Sequence, residues 1–298
     1  MASNLTVPAE PVPAGPPRVT VVTDSTSYLP AGLAGELGIR VVPLQVQLGD
    51  RTGREGIDVS PGDVTAALRN RVTVTTSRPT PGEFGKLYRA ILESGSTAVL
   101  SIHLSGQLSG TCDAARLAAG ELDDDQIRVV DSRSAGMALG FGVLAAARAA
   151  AAGGTLEQAH RAARTVLDAT TALFYVDSLE WLHRGGRIGS AAARFGTALA
   201  VKPLLHLSDG RIQPLEKVRT ASKAIARLVQ LGVAAAGSAP VDVAVQHLAA
   251  PDRAADLVRQ LKAALPELRQ LYESEVGAAV GAHVGPGLLG IVVARVGE

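Results

Sequence analysis

Residues 99–113 read VLSIHLSGQLSGTCD, and this stretch decides the fold class. Its apolar start, Val99 to Leu104, predicts a buried strand. The run AARLAA that follows Asp113 predicts a helix. Between the two stand Ser105, Ser109 and Thr111, spaced by Gly106 and Gly110. Glycine lets backbone approach a ligand closely, and a helix start offers unpaired N–H groups with a partial positive charge. The junction is suited to a small anion.

The same scheme recurs on either side. RVTVVTDSTSYLP (18–30) predicts a strand ending in a polar turn, then a short helix from Pro30. GIRVVPLQVQL (38–48) reads as one further strand. In DVSPGDVTAALRN (58–70), Ser60 is an N-cap and Pro61 the first helical residue. VTVTTSRPTPGEFGKLYRAILESG (72–95) repeats strand, hydroxyl-rich turn and helix, and QIRVVDSRS (126–134) adds a strand before a long alanine-rich helix. Strands alternating with helices predict an α/β fold with a parallel sheet. Four strands end in hydroxyl-bearing turns, TDSTS, TTSRPT, SGQLSGT and DSRS. Ligands of parallel sheets bind at such carboxyl ends. One Ser/Thr turn is ordinary capping chemistry; four in succession exceed what capping demands.

From about residue 155 a second α/β unit is expected. TLEQAHRAARTVLDATT reads as a helix, TALFYVDS as a strand, and residues 179–202 as a helical stretch broken at Gly185 and Gly186. KPLLHLSDGRIQPLEKV (202–218) predicts a hairpin turning at Ser208-Asp209-Gly210. A helix, a strand and a helix follow, and residues 267–296 read as strand, turn, strand. The expected organisation is a Pro-rich leader over 1–17, a parallel-sheet lobe over 18–154 and a mixed α/β lobe over 155–298, with the ligand in a cleft between the lobes.

At 298 residues, 47% hydrophobic and 19% charged, the chain has the composition of a globular protein with much buried surface. A net charge of +1 and 3% aromatics argue against nucleic-acid binding, which needs a basic face and stacking rings. Cys112 is the one cysteine, so it forms no internal disulfide and reads as a small buried side chain. The leader has neither a basic start nor an apolar run, which predicts a cytoplasmic protein. Residues 134–154, rich in Ala and Gly and interrupted by Arg148, are too weakly apolar for a membrane span and predict a buried helix. No stable membrane insertion is expected.

The common enzyme signatures are missing: there is no GxxxxGK[ST], HExxH, GxSxG or GxGxxG after a strand. Asp24 with Asp131 would be a thin basis for metal-dependent phosphotransfer, since aspartates at strand ends usually cap turns. A serine hydrolase or acyl transferase would pair Ser109 with His283, with Asp24 as the orienting acid or His103 as another base; nothing in the sequence forces these together. GGR at 185–187 reads equally as a helix C-cap or as a close turn aiming Arg187 or Arg184 at an anion. HVGPG at 283–287 reads as a tight loop whose glycines turn chemistry explains and whose histidine it does not. Together these pieces make an anion site of hydroxyls, amides and a His or Arg. A single carboxylate fits better than a polyphosphate, since two or three neutral donors satisfy its two oxygens.

The ordered set TDSTSYLP, TSRPTPGEF, LSGQLSGT, DSRSAGMALG, LHRGGRIG, KPLLHLSDGRIQPLEKVR and HVGPGLLGI resembles the DegV family, from about Val19 to the C-terminus. The resemblance implies a two-lobed α/β protein holding a long-chain fatty acid between its lobes. It further implies a non-catalytic role without cofactor or metal: presenting the carboxylate to a separate ATP-dependent fatty acid kinase subunit, which makes the acyl phosphate. By position, the family's carboxylate-binding threonine falls on Thr76, beside Ser77. Its helix-start serine falls on Ser109, beside Gly110, its loop histidine on His283 and its GGRI arginine on Arg187. Arg78 stands where the family commonly has glutamine, and Val284 where it has threonine. An acyl hydrolase using Ser109 and His283, or a lipid-sensing regulator with the same pocket, are the alternatives.

Overall fold

The computed structural model describes residues 19–122, 125–188 and 202–296. The expected leader and much of the helical stretch after Gly186 lie outside the described residues.

The first strand, β1 (Val19–Asp24), is buried at every position, as a strand covered on both faces must be. It ends in a 3-10 turn, Ser25–Ser27, which the Asp24 side chain caps by accepting from the Thr26 N–H. Tyr28 leaves that turn in the left-handed region at φ 44°. There follow α1 (Leu33–Glu36), β2 (Arg40–Val42), β3 (Gln45–Leu48), β4 (Arg51–Arg54), α2 (Pro61–Arg69), β5 (Val74–Ser77) and α3 (Pro81–Glu93). Next come β6 (Ala98–His103), α4 (Thr111–Leu122), β7 (Ile127–Asp131) and α5 (Met137–Ala151). Ser60 and Thr80 each close a reciprocal capping box over a helix whose first residue is proline. A four-stranded sheet runs in the order β2-β1-β6-β7, all parallel.

The second half contributes α6 (Leu156–Asp168), β8 (Thr170–Tyr175), α7 (Glu180–Arg184), β9 (Lys202–Ser208), β10 (Arg211–Val218) and α8 (Ala221–Ala236). It closes with β11 (Val241–His247), α9 (Pro251–Ala264), β12 (Leu268–Glu275), α10 (Ala278–Val284) and β13 (Leu289–Arg295). Its sheet, β10-β9-β8-β13-β11-β12, is antiparallel except for the parallel pair β11 and β12. The expected hairpin is present: Ser208 faces Arg211, and Asp209 and Gly210 both take positive φ, as a two-residue primed turn requires.

The alanine-rich α5 lies between the two sheets, packing on β1 and β6 to one side and on β8 and β13 to the other. Eleven of its residues are buried, spread around the whole helix, which explains why its sequence shows no polar face. One apolar cluster accordingly joins Leu100 and Ile102 of the parallel sheet, Leu139 and Leu144 of α5, and Ala172 and Val292 of the mixed sheet. Small alanine side chains let the sheets close on the helix. Among the described residues no helix is long and apolar enough to cross a membrane.

Three expectations need correction. GIRVVPLQVQL is two strands, because Pro43 lacks an N–H for the ladder; β2 joins the parallel sheet and β3 a separate one. β5 is not a member of the parallel sheet: it pairs antiparallel with β3 in the small sheet β4-β3-β5. Thr76 and Ser77 therefore reach the site region from a different sheet than the other hydroxyl turns. Between β12 and β13 the chain forms α10 rather than a turn, and His283 sits in its last helical turn, before Gly285 at φ 74°.

Candidate functional site

One cavity lies between the carboxyl ends of the parallel sheet and the inner face of the mixed sheet. Its walls take Leu44, Leu104 and Leu108 from the first half and Phe174, Leu207, Ile212, Leu288 and Val292 from the second. The strand pattern produces this lining directly. On β13 and the residue before it, Leu288, Gly290 and Val292 face the cavity at a period of two, while Leu289, Ile291 and Val293 face the core under α8 and α9.

Of the polar side chains that line the cavity, Thr26, Tyr28 and Gln246 are bonded within the protein, and the other four stand beside exposed residues. Thr76, Ser109, Arg187 and His283, four residues distant in sequence, all line it. Each is half-buried, and the adjacent Ser77 and Arg78 are exposed. His283 Nε2 and Thr76 Oγ1 are 2.9 Å apart and hydrogen-bonded. Ser109 Oγ pairs with Thr111 Oγ1 at 2.9 Å at the start of α4. Arg187 donates from Nε to the Leu108 carbonyl at 3.2 Å and from Nη1 to the Gly185 carbonyl, which fixes its guanidinium beside the Ser109 turn. Ser77 and Gly110 flank the opening without lining the cavity; the Arg78 side chain lies over Gly110, where a β-carbon would collide with its guanidinium.

Burial, reinforced by the positive charge of Arg187, lowers the His283 pKa to about 4. The ring is therefore neutral near pH 7, and the fixed positive charge at the opening belongs to Arg187. His283 Nδ1 is buried without a hydrogen-bond partner. Among the described residues no carboxylate orients this imidazole, and its bond goes to Thr76 rather than to Ser109. The nucleophile–base–acid chain needed by a serine hydrolase is not assembled here.

Two residues that the sequence did not single out hold His283 in place. Glu55 is only 4% exposed. It accepts from the Ala279 N–H at 2.7 Å, from the Tyr28 hydroxyl at 3.1 Å and from the Ser25 hydroxyl. Tyr28 in turn accepts from the Val280 N–H at 3.1 Å. Two orphan N–H groups at the start of α10 are thus satisfied by side chains from the first half of the chain. Burial raises the Glu55 pKa, partly opposed by those hydrogen bonds, and burial followed by the Glu55 charge raises that of Tyr28. Tyr28 was legible as the one aromatic in a hydroxyl-rich turn. Glu55 was not, since among Arg51, Arg54 and Asp58 it reads as a surface charge.

Asp24, His103 and Ser101 form a second polar cluster. Asp24 Oδ2 meets His103 Nδ1 at 3.0 Å, and His103 Nε2 meets Ser101 Oγ at 2.7 Å. All three are fully buried and none lines the cavity. Asp131, the other carboxylate weighed for metal chemistry, accepts from the Gly106 and Arg133 N–H groups as a turn cap. Among the described residues no three His, Cys, Asp or Glu side chains converge as a metal site.

The family model described as "Uncharacterised protein, DegV family" matches residues 18–296. A DegV domain-containing protein of Streptomyces coelicolor is 57% identical over 276 residues, covering 93% of this chain and 98% of that one. Among solved structures, a fatty acid-binding DegV family protein of Thermus thermophilus superposes with a TM-score of 0.89 at 35% identity, over 94% of this chain and all of its own. DegV of Bacillus subtilis, also a fatty acid-binding protein, gives 0.86 at 36% identity, over 93% and 99% of the two chains. With nearly its whole length matched, the chain belongs to the DegV family.

Proposed function

We propose that this protein binds a long-chain fatty acid, its tail in the apolar cavity and its carboxylate at the opening among Thr76, Ser109 and His283. The observation that carries the reading is the asymmetry of the cavity: its walls are largely aliphatic, the deeper polar side chains Thr26, Tyr28 and Gln246 are bonded within the protein, and Thr76, Ser109, Arg187 and His283 stand together beside exposed Ser77 and Arg78. The fatty acid-binding relatives described above support it. Each oxygen of the carboxylate then meets a donor. With Nε2–H of neutral His283 donating to Thr76 Oγ1, the threonine hydroxyl proton is free to point at one oxygen. Ser109, with the Gly110 N–H at the start of α4, serves the other, since the Ser109 N–H is already donated to the Ser105 carbonyl at 3.1 Å. Ser77 stands beside Thr76 at the rim, and Arg187 supplies the long-range positive charge.

The tail dominates affinity. At about 0.8 kcal/mol per buried methylene, some fourteen methylenes offer roughly 11 kcal/mol before association costs. A hydrogen bond to a charged group adds about 1.5–3 kcal/mol and fixes which end faces out. A carboxylate held at an open rim is also accessible to a second protein. In this reading a separate ATP-dependent kinase subunit docks there, a carboxylate oxygen attacks the γ-phosphorus, and ADP leaves. Native mass spectrometry of the purified protein, followed by solvent extraction, tests the binding step. A non-covalent adduct released as a long-chain fatty acid is expected; a protein that neither retains nor takes up fatty acid would overturn the reading. Acyl phosphate formation on adding the kinase subunit and ATP tests the second step.

A further inference from the structure

Gly290 stands in the middle of β13, between Leu289 and Ile291, in a strand otherwise buried from Leu289 to Ala294. Glycine in a strand interior weakens the strand, so its presence needs a reason. The other glycines nearby have one in the fold. Gly285 and Gly287 take positive φ, and a β-carbon on either would collide with Trp181 or Asp177. Gly290 has neither constraint. Its φ is not positive, and the nearest atoms to a β-carbon placed there are Gln246 Cβ and the Leu173 carbonyl oxygen at 3.7 Å and the Gln246 carbonyl oxygen at 3.8 Å, all ordinary contacts.

The space left by the missing side chain belongs to the cavity. Gly290 pairs with Gln246 on one side and Phe174 on the other, and all three line it. Neither neighbour's side chain has folded over the bare backbone. One step deeper along the strand, Val292 pairs with Ala172, and both line the cavity. Towards the opening lie Leu288 and His283. A chain running from His283 to the Val292–Ala172 end crosses the sheet at Gly290.

On the reading that the cavity holds an acyl tail, we propose that Gly290 is a specificity-determining position. Its bare backbone is the groove through which the tail passes, and the glycine serves ligand length rather than the fold. The test is binding of saturated fatty acids of eight to eighteen carbons to delipidated wild-type, Gly290→Ala and Gly290→Val protein, with thermal unfolding of each unliganded protein. Valine favours strand geometry and the site accepts a β-carbon, so unliganded Gly290→Val is expected to melt at or above the wild-type temperature. Each methylene turned away costs roughly fourfold in affinity. Sixteen- and eighteen-carbon acids should therefore lose about fiftyfold or more, the eight-carbon acid less than about threefold, with alanine intermediate. Equal loss at every length, or a lowered melting temperature, would show that the fold requires the glycine and would overturn the proposal. No loss at any length would show that the tail runs elsewhere. Either result leaves fatty acid binding intact, whereas a wild-type protein that binds none of these acids removes the binding reading itself.

Discussion

Two histidines in this molecule have opposite lives. His103 sits between Asp24 and Ser101 with both ring nitrogens paired, in the order of partners that a hydrolytic triad would use. Yet it is fully enclosed: the Tyr88 hydroxyl donates to Ser101, the Phe84 ring packs edge-on at 5.0 Å, and Asp24 accepts in addition from the Thr26 and Leu104 N–H groups. His283 has one partner, one orphaned nitrogen and a cavity in front of it. The better-ordered constellation is the structural one, tying β1 to β6 where the parallel sheet ends. The less satisfied one lines the cavity. On the proposed reading, hydroxyl and amide donors left over beside an opening, rather than the order of side chains, mark the ligand site.

The largest expected effect that tests this contrast is on stability. Asp24→Ala leaves buried N–H groups and His103 without an acceptor, and should cost about 3–5 kcal/mol in chemical denaturation. A loss below 1 kcal/mol would mean that the enclosed cluster is not a structural brace.

His283 should show itself through pH. Its folded pKa, about 4, lies below the ordinary 6.5, so the unfolded chain takes up the proton first as pH falls. Stability should be level above about pH 6.5 and fall by about 1–3 kcal/mol on the way down to pH 4. Glu55, whose pKa is raised, works with the opposite sign: its contribution weakens as pH rises through its folded value. The comparison is therefore wild type against His283→Gln, which keeps Glu55 and removes the histidine slope. Equal slopes in the two proteins would contradict burial of a neutral His283.

Thr76→Ala and Ser109→Ala should each weaken fatty acid binding by about tenfold or more, the value of one hydrogen bond to a charged group, with unfolding little changed. The smallest effect is expected at Cys112, fully buried, whose thiol pKa burial pushes up to about 12. Thiol reagents should leave it unmodified in the folded protein and react once it is unfolded. Ready modification of native protein would show that the α4 side of the parallel sheet opens.

Much of this was legible in the sequence where local chemistry decides the outcome. The Ser60 cap, the helix entered through Pro81, the Asp209-Gly210 hairpin and the buried character of α5 follow from residue types at fixed spacings. The meeting of Thr76, Ser109, Arg187 and His283 at one opening was expected from family resemblance, because no local rule relates residues 207 positions apart. Sheet membership was misread for β5, since a short strand of alternating exposure reads the same in a parallel or an antiparallel sheet. The helical form of α10 was hidden by its glycines, and it forms because Glu55 and Tyr28 supply its missing acceptors. A carboxylate whose role is to cap a helix more than two hundred residues away leaves no signal in its own neighbourhood.

The central claim is that the carboxylate lies at the Thr76–Ser109–His283 opening. The most direct measurement is the carbon-13 NMR spectrum of carboxyl-labelled hexadecanoic acid bound to wild-type, Thr76→Ala and Ser109→Ala protein. One bound carboxylate resonance in the wild type, displaced in each variant, is the predicted result. A bound resonance that both substitutions leave unmoved would place the headgroup elsewhere and contradict the account.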